Sequence, residues 1–213
     1  MKNATECTIS NNNVTNISAT GVRTAYGIHL EDSSNNTFSA NTSVSNVTST
    51  NYRAYGIRLE DSSHNNTFSG STSVSNITAD NYACGIYLRP SSNNTFSGST
   101  SVSNVTATNR DAYGIYLYSS SNNIFSASTS VSNVTSEHNY PAYGIYLTSL
   151  SNNNTFSANT SVSNITATND EAYGIYLAGS SNNNRFRRKH LRFQRYGTTA
   201  LCLRHLSGRF KQL

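Results

Sequence analysis

Apolar residues recur at fixed intervals along the chain, within a background of asparagine, serine and threonine. The clearest unit is a hexapeptide close to Ala-Tyr-Gly-Ile-Tyr-Leu. Its alternation is typical of a β-strand with one buried face, and predicts that Ile28 and Leu30 point inward and Gly27 and His29 outward. The unit occurs six times, at residues 25–30, 54–59, 83–88, 112–117, 142–147 and 172–177.

Two further segments follow each hexapeptide. The second reads Asn-Asn-Thr-Phe, as at 35–38, and the third reads Thr-Ser-Val-Ser-Asn-Val-Thr, as at 42–48. In the third segment Val44 and Val47 are three residues apart, which a straight strand places on opposite faces. A bend at Asn46 would turn both valines inward, because asparagine tolerates left-handed backbone angles better than most residues with a side chain.

The spacing of these segments predicts the architecture. The hexapeptide glycines are 29 or 30 residues apart, and so regular a period is typical of a solenoid. The interval from the Phe of the second segment to the Asn of the third is always 8 residues, whereas the other intervals vary. We therefore expect an all-β fold, a single-stranded parallel β-helix with three short strands per 29–30-residue coil and about six coils.

Stacked coils would align identical residues in columns about 4.8 Å apart. Four columns are expected inside the coil, and the asparagine column is expected to form an amide ladder along the axis. These columns are Ile28, Ile57, Ile86, Ile115, Ile145 and Ile175; Leu30, Leu59, Leu88, Leu117, Leu147 and Leu177; Phe38, Phe68, Phe96, Phe125 and Phe156; and Asn36, Asn66, Asn94, Asn123 and Asn154.

A family resemblance is carried by three successive parts of the repeat, which are Gly-Ile-Tyr-Leu, Ser-Ser-Asn-Asn-Thr-Phe-Ser and a later Asn. Across residues 11–184 the repeat resembles the right-handed parallel β-helix repeats of the NosD-like and pectate-lyase-like (pectin lyase-like) superfamily. The resemblance implies right-handed coils. That superfamily includes lyases, hydrolases, metal-site maturation factors and surface proteins, so the resemblance is specific for the fold and weak for an activity.

The net charge of +5 is unevenly distributed. Up to Asn184 there are six basic and ten acidic residues, and the other nine basic residues lie in 185–213. The repeats therefore carry a balance of −4, which does not favour nucleic acid as a partner. No apolar run approaches the length of a membrane span, so we expect no membrane insertion.

Residues 185–213 form a basic tail that does not match the repeat. When the codons that can encode the tail are read from their second base, they permit Val-Ser-Asn-Val-Thr-Ala across residues 192–197. In the same frame they permit Tyr-Ala-(Tyr or Cys)-Gly-Ile-Tyr across 201–206. This pattern indicates a frameshift, with the tail as an out-of-frame seventh repeat that does not continue the stack. Residues 1–184 are then the repeat array. Because 16–20 resemble the end of a repeat, we expect a fragment of a longer array whose further coils stack on this one.

The outward positions of the hexapeptide strand carry charges in the first three coils. As a set they could supply a carboxylate pair, a base and a charge stabiliser on the outward face of coils 1–3, as in a polysaccharide lyase or hydrolase. The alternative is that they form ion pairs between adjacent coils. These candidate catalytic residues are His29, Glu31, Arg58, Glu60 and Arg89.

Tyrosines occupy the same outward position in the later coils. A row of rings about 4.8 Å apart could stack against sugar rings and hydrogen-bond their rims. The tyrosines could equally serve only to support one another. These candidate ligand-binding residues are Tyr87, Tyr116, Tyr146 and Tyr176.

Metal and cofactor chemistry is not indicated. The five histidines are scattered, there is one methionine, and the three cysteines lack metal-ligand or disulfide spacing. Cys84 takes the place of the hexapeptide tyrosine and is interpreted as a packing residue. We therefore predict no metal site and no cofactor.

The similarity of the repeats bears on function, because an active site needs one coil to differ from the others in a concerted way. The sequence favours a non-catalytic, secreted or cell-surface β-helix module with a structural or adhesive role, binding a polysaccharide or a cell-surface glycan. Its expected location is extracellular or at the cell surface. The alternative is a carbohydrate-active enzyme with its site on the charged coils.

Overall fold

The computed structural model describes residues 1–186 and 203–205. These residues form β-strands joined by short turns, and no helix among them is long and apolar enough to cross a membrane. The strands are β1 Thr8–Ala19, β2 Ala25–Glu31, β3 Thr37–Ser49, β4 Ala54–Glu60, β5 Thr67–Phe68, β6 Thr72–Ala79, β7 Ala83–Arg89, β8 Thr95–Phe96, β9 Thr100–Ala107, β10 Ala112–Tyr118, β11 Ile124–Phe125, β12 Thr129–Ser136, β13 Ala142–Thr148, β14 Thr155–Phe156, β15 Thr160–Ala167, β16 Ala172–Leu177, β17 Arg185–Phe186 and β18 Leu203–His205.

Every described strand pairs in parallel with its counterpart in a neighbouring coil. The hexapeptide strands form a seven-stranded sheet in the order β18-β16-β13-β10-β7-β4-β2. The second and third segments form an 11-stranded sheet, because β3 runs through both of them. Pairing joins identical positions, as in Ile28 with Ile57. The prediction of a parallel β-helix with three strands per coil and about six coils is confirmed.

The predicted isoleucine, leucine and phenylalanine columns form one continuous apolar core. The phenylalanine rings stack face to face, with centroids 4.5–4.7 Å apart from Phe38 through to Phe186. Each large apolar side chain buried in this way contributes roughly 1.5–3 kcal/mol. Since every coil adds the same set, stability is shared along the axis.

The predicted bend in the third segment is confirmed. Asn46 has a φ of 55°, in the left-handed region, and Val44 and Val47 are both fully buried. Its counterparts Asn16, Asn76, Asn104, Asn133 and Asn164 have φ values of 54–59°. Their side chains form an exterior ladder in which Nδ2 of each asparagine donates to Oδ1 in the preceding coil at 2.9–3.1 Å.

The prediction that Gly27 faces outward is wrong. A Cβ on Gly27 would lie 2.2 Å from Cγ1 of Val44 and 2.6 Å from the carbonyl oxygen of Gly56, so this position faces the interior. The paired positions run from Tyr26 to Ile28 and skip the glycine. Gly27 and Ile28 therefore both face inward, and Tyr26 lies outside beside His29, with the two rings 4.3 Å apart.

The predicted asparagine ladder is present inside the coil. Asn36 donates to Oδ1 of Asn66 from its backbone nitrogen at 2.9 Å and from Nδ2 at 3.0 Å. A buried serine column, which the sequence analysis did not predict, runs beside it, and the backbone nitrogen of Ser33 donates to Oγ of Ser63 at 3.1 Å. Both columns satisfy backbone donors at a corner that lies between strands.

Two short segments of the tail pair with the coil. Arg185–Phe186 extends the stack by pairing with Thr155–Phe156, and Leu203–His205 pairs with Ile175, Tyr176 and Leu177. The prediction that 185–213 leaves the stack is wrong for these two segments. Residues 187–202 and 206–213 lie outside the described residues.

Candidate functional site

Two side-by-side columns cover the exterior of the hexapeptide sheet, and we call them together the tyrosine face. The leading column comes from the residue before each glycine, and the trailing column from the second residue after it. The leading column is Tyr26, Tyr55, Cys84, Tyr113, Tyr143 and Tyr173, and the trailing column is His29, Arg58, Tyr87, Tyr116, Tyr146 and Tyr176.

Every coil except the third, where Cys84 takes the leading position, pairs a leading ring with a planar trailing group. The ring centroids of Tyr113 and Tyr116 are 4.5 Å apart, and the same pair in each of the next two coils is 4.6 Å apart. In the second coil the guanidinium of Arg58 lies 4.7 Å from the ring centroid of Tyr55. The sequence analysis missed the leading column, although a tyrosine precedes the glycine in five of the six repeats.

The four predicted ligand-binding tyrosines form the expected row. Successive centroids from Tyr87 through Tyr116 and Tyr146 to Tyr176 are 5.0, 4.9 and 5.2 Å apart. Because the rings stack on one another, their faces are largely covered. Tyr87 is buried, and Tyr116, Tyr146 and Tyr176 are half-buried. Burial raises the pKa of Tyr87, Tyr116 and Tyr146, so these hydroxyls stay protonated at neutral pH.

Three of the candidate catalytic residues are brought together. Nε2 of His29 lies 2.6 Å from Oε1 of Glu60, and the guanidinium of Arg58 contacts Oε2 of the same carboxylate. Arg58 also donates to the hydroxyl of Tyr26 at 2.9 Å, and its guanidinium lies within 4.7–5.6 Å of three tyrosine ring centroids. Arg58 and Glu60 are each 8% exposed, so both charges are paired in a nearly dry environment.

The other two candidate catalytic residues have different partners. Glu31 forms an ion pair with Nζ of Lys2 at 2.5 Å, and Arg89 is exposed with its guanidinium 5.7 Å from the ring of Tyr118. The contact between His29 and Glu60 joins adjacent coils. In the part of the chain that the structure describes, no group of three His, Cys, Asp or Glu side chains could hold a metal ion.

A cleft of about 240 Å³ opens in the tyrosine face where Cys84 replaces a tyrosine. Asp111 lies in it and accepts a hydrogen bond through Oδ2 from the hydroxyl of Tyr113 at 2.7 Å. Burial raises the pKa of the Asp111 carboxyl, and the hydrogen bond from Tyr113 partly opposes this shift. The lining residues are Arg53, Tyr55, Tyr82, Cys84, Tyr87, Asp111, Tyr113 and Tyr116.

The Cys84 thiol at the base of this cleft is buried, and burial raises its pKa, so it stays protonated and is a poor nucleophile. The sequence analysis interpreted Cys84 as a packing residue and did not identify the cleft. The available signal was that a single repeat departs from tyrosine at this position.

The family comparison agrees with this architecture. The family model for the right handed beta helix region matches residues 1–191. No curated protein and no solved structure matches the chain at a significant level. Since the matched residues span most of the sequence and the strands stack in parallel coils, the chain belongs to the right-handed beta helix family.

Proposed function

We propose that this chain is a non-catalytic, secreted or cell-surface β-helix module with a structural or adhesive role, and that its tyrosine face binds a polysaccharide or a cell-surface glycan. The observation that supports binding is the regular trailing row of Tyr116, Tyr146 and Tyr176. These side chains are partly buried, and their rings are held 4.9–5.2 Å apart. A rigid row loses little side-chain entropy when it contacts a ligand.

The chemistry of the row suits an extended, hydroxyl-rich ligand. Stacked tyrosines offer apolar ring edges beside hydroxyls that both donate and accept hydrogen bonds. Because the same group repeats in each coil, a polymer lying along the axis would meet equivalent contacts at successive steps. Many weak contacts on one chain then add up to useful retention.

The charged coils support the non-catalytic proposal. Glu60 is engaged by both His29 and Arg58, and Glu31 is engaged by Lys2. A pair of acid and base carboxylates needs access to a sugar from both sides of the scissile bond. Here each carboxylate already has a cationic partner, which favours ion pairing between coils over glycoside hydrolysis.

Retention on insoluble glycans tests the proposal. The double variant Tyr116→Ser, Tyr146→Ser is expected to weaken retention at least about tenfold, because it removes two adjacent contacts. A matched control, Tyr52→Ser with Tyr140→Ser, alters two tyrosines outside the tyrosine face and should leave retention unchanged. Far-ultraviolet circular dichroism must match the parent for both variants. Equal retention by the tyrosine-face variant and the parent would exclude the proposed surface.

Product formation distinguishes the enzyme alternative from the non-catalytic module. Release of reducing ends or unsaturated products by the parent protein, abolished in Glu60→Gln, would identify a carbohydrate-active enzyme. Retention without product is the result expected for the module proposed here.

A further inference from the structure

We infer that the cleft at Cys84 is a binding site for a small neutral phenol, whose ring takes the place of the tyrosine ring that this coil lacks. The inference does not rest on glycan binding, although Tyr87 and Tyr116 of the trailing row also line the cleft. It follows from three features of the cleft, which are the missing ring, the aromatic walls and the two polar groups at the rim.

The missing ring leaves a defined gap. Strand pairing keeps Tyr55, Cys84 and Tyr113 at equivalent positions in three successive coils, so the coils cannot close up around the smaller side chain. Tyr55 and Tyr113 are two coil steps apart, which corresponds to about 9.6 Å along the axis and leaves room for one ring between them. Elsewhere in this column neighbouring rings are 5.2 or 5.8 Å apart.

The walls of the cleft are aromatic. Tyr87 has no leading ring in its own coil and instead stacks on Tyr55 at 5.4 Å, while Tyr116 stacks on Tyr113 at 4.5 Å. Rings pack favourably at centroid distances of about 4.5–7 Å, so a flat aromatic ring can contact both sides at once. A saturated, puckered ring is thicker and lacks the quadrupole that these walls complement.

The rim of the cleft favours a neutral hydroxyl. Asp111 already accepts from Tyr113, and a carboxylate can accept further donors. The Arg53 side chain also lines the cleft, with its guanidinium 4.9 and 5.1 Å from the ring centroids of Tyr52 and Tyr82. A phenolic hydroxyl can donate to the Asp111 carboxylate as the hydroxyl of Tyr113 does. Since the lining carries one charged side chain of each sign, the attraction of an ion to one is offset by repulsion from the other, which favours a neutral ligand.

The thiol at the base of the cleft makes the interaction non-covalent. Because burial raises the pKa of Cys84, the protonated thiol acts as a small apolar floor beneath the ring. Replacing Cys84 by alanine should therefore preserve the cleft, whereas replacing it by tyrosine should fill it. Tyrosine is the residue at this position in the other five repeats, so the fold already accommodates it.

Calorimetric titration of the full chain with p-cresol, which carries the tyrosine side-chain ring, tests the inference. We expect one saturable site with a Kd on the order of 1 mM, as suits so small a ligand. Cys84→Tyr should weaken binding at least about tenfold, and Cys84→Ala should change it by less than about threefold. Circular dichroism of both variants should match the parent.

Three results would overturn the inference: p-cresol binding undiminished in a folded Cys84→Tyr variant, equal binding of the saturated analogue methylcyclohexanol, or tighter binding of tetramethylammonium. If the Cys84→Tyr variant does not fold, titration of an Asp111→Ala variant tests the inference instead. That variant should weaken p-cresol at least about fivefold and leave toluene binding unchanged. An unchanged affinity for p-cresol, or an equal loss for both ligands, would exclude the proposed site.

Discussion

Oδ1 of Asn66 accepts two hydrogen bonds from Asn36, one from its backbone nitrogen at 2.9 Å and one from Nδ2 at 3.0 Å. The same paired contact links Asn66 to Asn94 and Asn94 to Asn123. One side-chain oxygen thus satisfies a backbone donor and a side-chain donor of the neighbouring coil, at a corner where no strand can do so. The ladder holds the corners of adjacent coils in register.

Replacing Asn94 with alanine should therefore be costly. The change removes the acceptor of two buried donors on Asn66, and each unsatisfied buried donor costs about 1–3 kcal/mol. We expect the free energy of unfolding in urea to fall by roughly 2–4 kcal/mol. The control is Asn104→Gly in the exposed exterior ladder, where glycine also tolerates the positive φ, and there the loss should stay below about 1 kcal/mol. Equal losses would contradict a special role for the buried ladder.

The phenylalanine column offers a second test. Phe96 is fully buried, with its ring centroid 4.6 Å from both Phe68 and Phe125. Phe96→Ala should lower the free energy of unfolding by about 3–5 kcal/mol, because it leaves a cavity inside a rigid stack. Phe96→Leu refills most of the volume and should lose less. A change near zero in the alanine variant would mean that this ring is not in the core.

The hexapeptide glycines offer a third test of the packing. A Cβ on Gly85 would lie 2.2 Å from Cγ1 of Val102 and 2.7 Å from the carbonyl oxygen of Gly114. Gly85→Ala should therefore lower the thermal midpoint, and adding Val102→Ala should restore only part of the loss, because the backbone contact remains. Full rescue by the second change, or no loss in the first, would contradict the packing described here.

The sequence was a good guide to features that depend on one coil and its period. The bend at Asn46 followed from two valines three residues apart, and the inner columns followed from the repeat itself. Both features depend on the local geometry of one coil, and the same sequence pattern recurs in each repeat.

Features that depend on contacts between segments were not predictable in this way. The alternation rule placed Gly27 outside because it treats the hexapeptide as a regular strand, whereas packing against Val44 turns the glycine inward. That reversal moves Tyr26 outward and creates the leading column. The cleft likewise exists only because Tyr55 and Tyr113 lie on either side of Cys84. The presence of cysteine in one repeat therefore does not predict a cleft unless the rings of the two adjacent coils are considered.

The codons of the tail make a genetic prediction. Read from the second base, the codons permitted for residues 189–194 allow Asn-Thr-Ser-Val-Ser-Asn, which is the sequence of 159–164. We expect nucleotide sequencing to show that the shifted frame encodes this repeat, and a one-base correction near the codon for Asn184 to restore it. Codons that do not encode the repeat in that frame would exclude a frameshift.

Alkaline pH should destabilise the tyrosine face. Burial raises the pKa of Tyr55 to about 12 from an ordinary value of 10.0, and raises the pKa of Tyr113, Tyr116 and Tyr143 as well. Since the folded state holds these protons more tightly than the unfolded state, their contribution to stability is complete below about pH 10. It is lost as the pH rises through the folded-state values.

Parallel titrations by tyrosinate absorbance and far-ultraviolet circular dichroism measure this effect. We expect ionisation of the tyrosine face to coincide with loss of the β signal above pH 10, whereas the chain in concentrated urea should ionise near its ordinary pKa of about 10 without a further transition. Tyr116→Phe keeps the stacked ring and removes one proton, so it should shift the alkaline transition to higher pH. Ionisation of every tyrosine near pH 10 with the β signal intact would show that these rings are solvated rather than stacked.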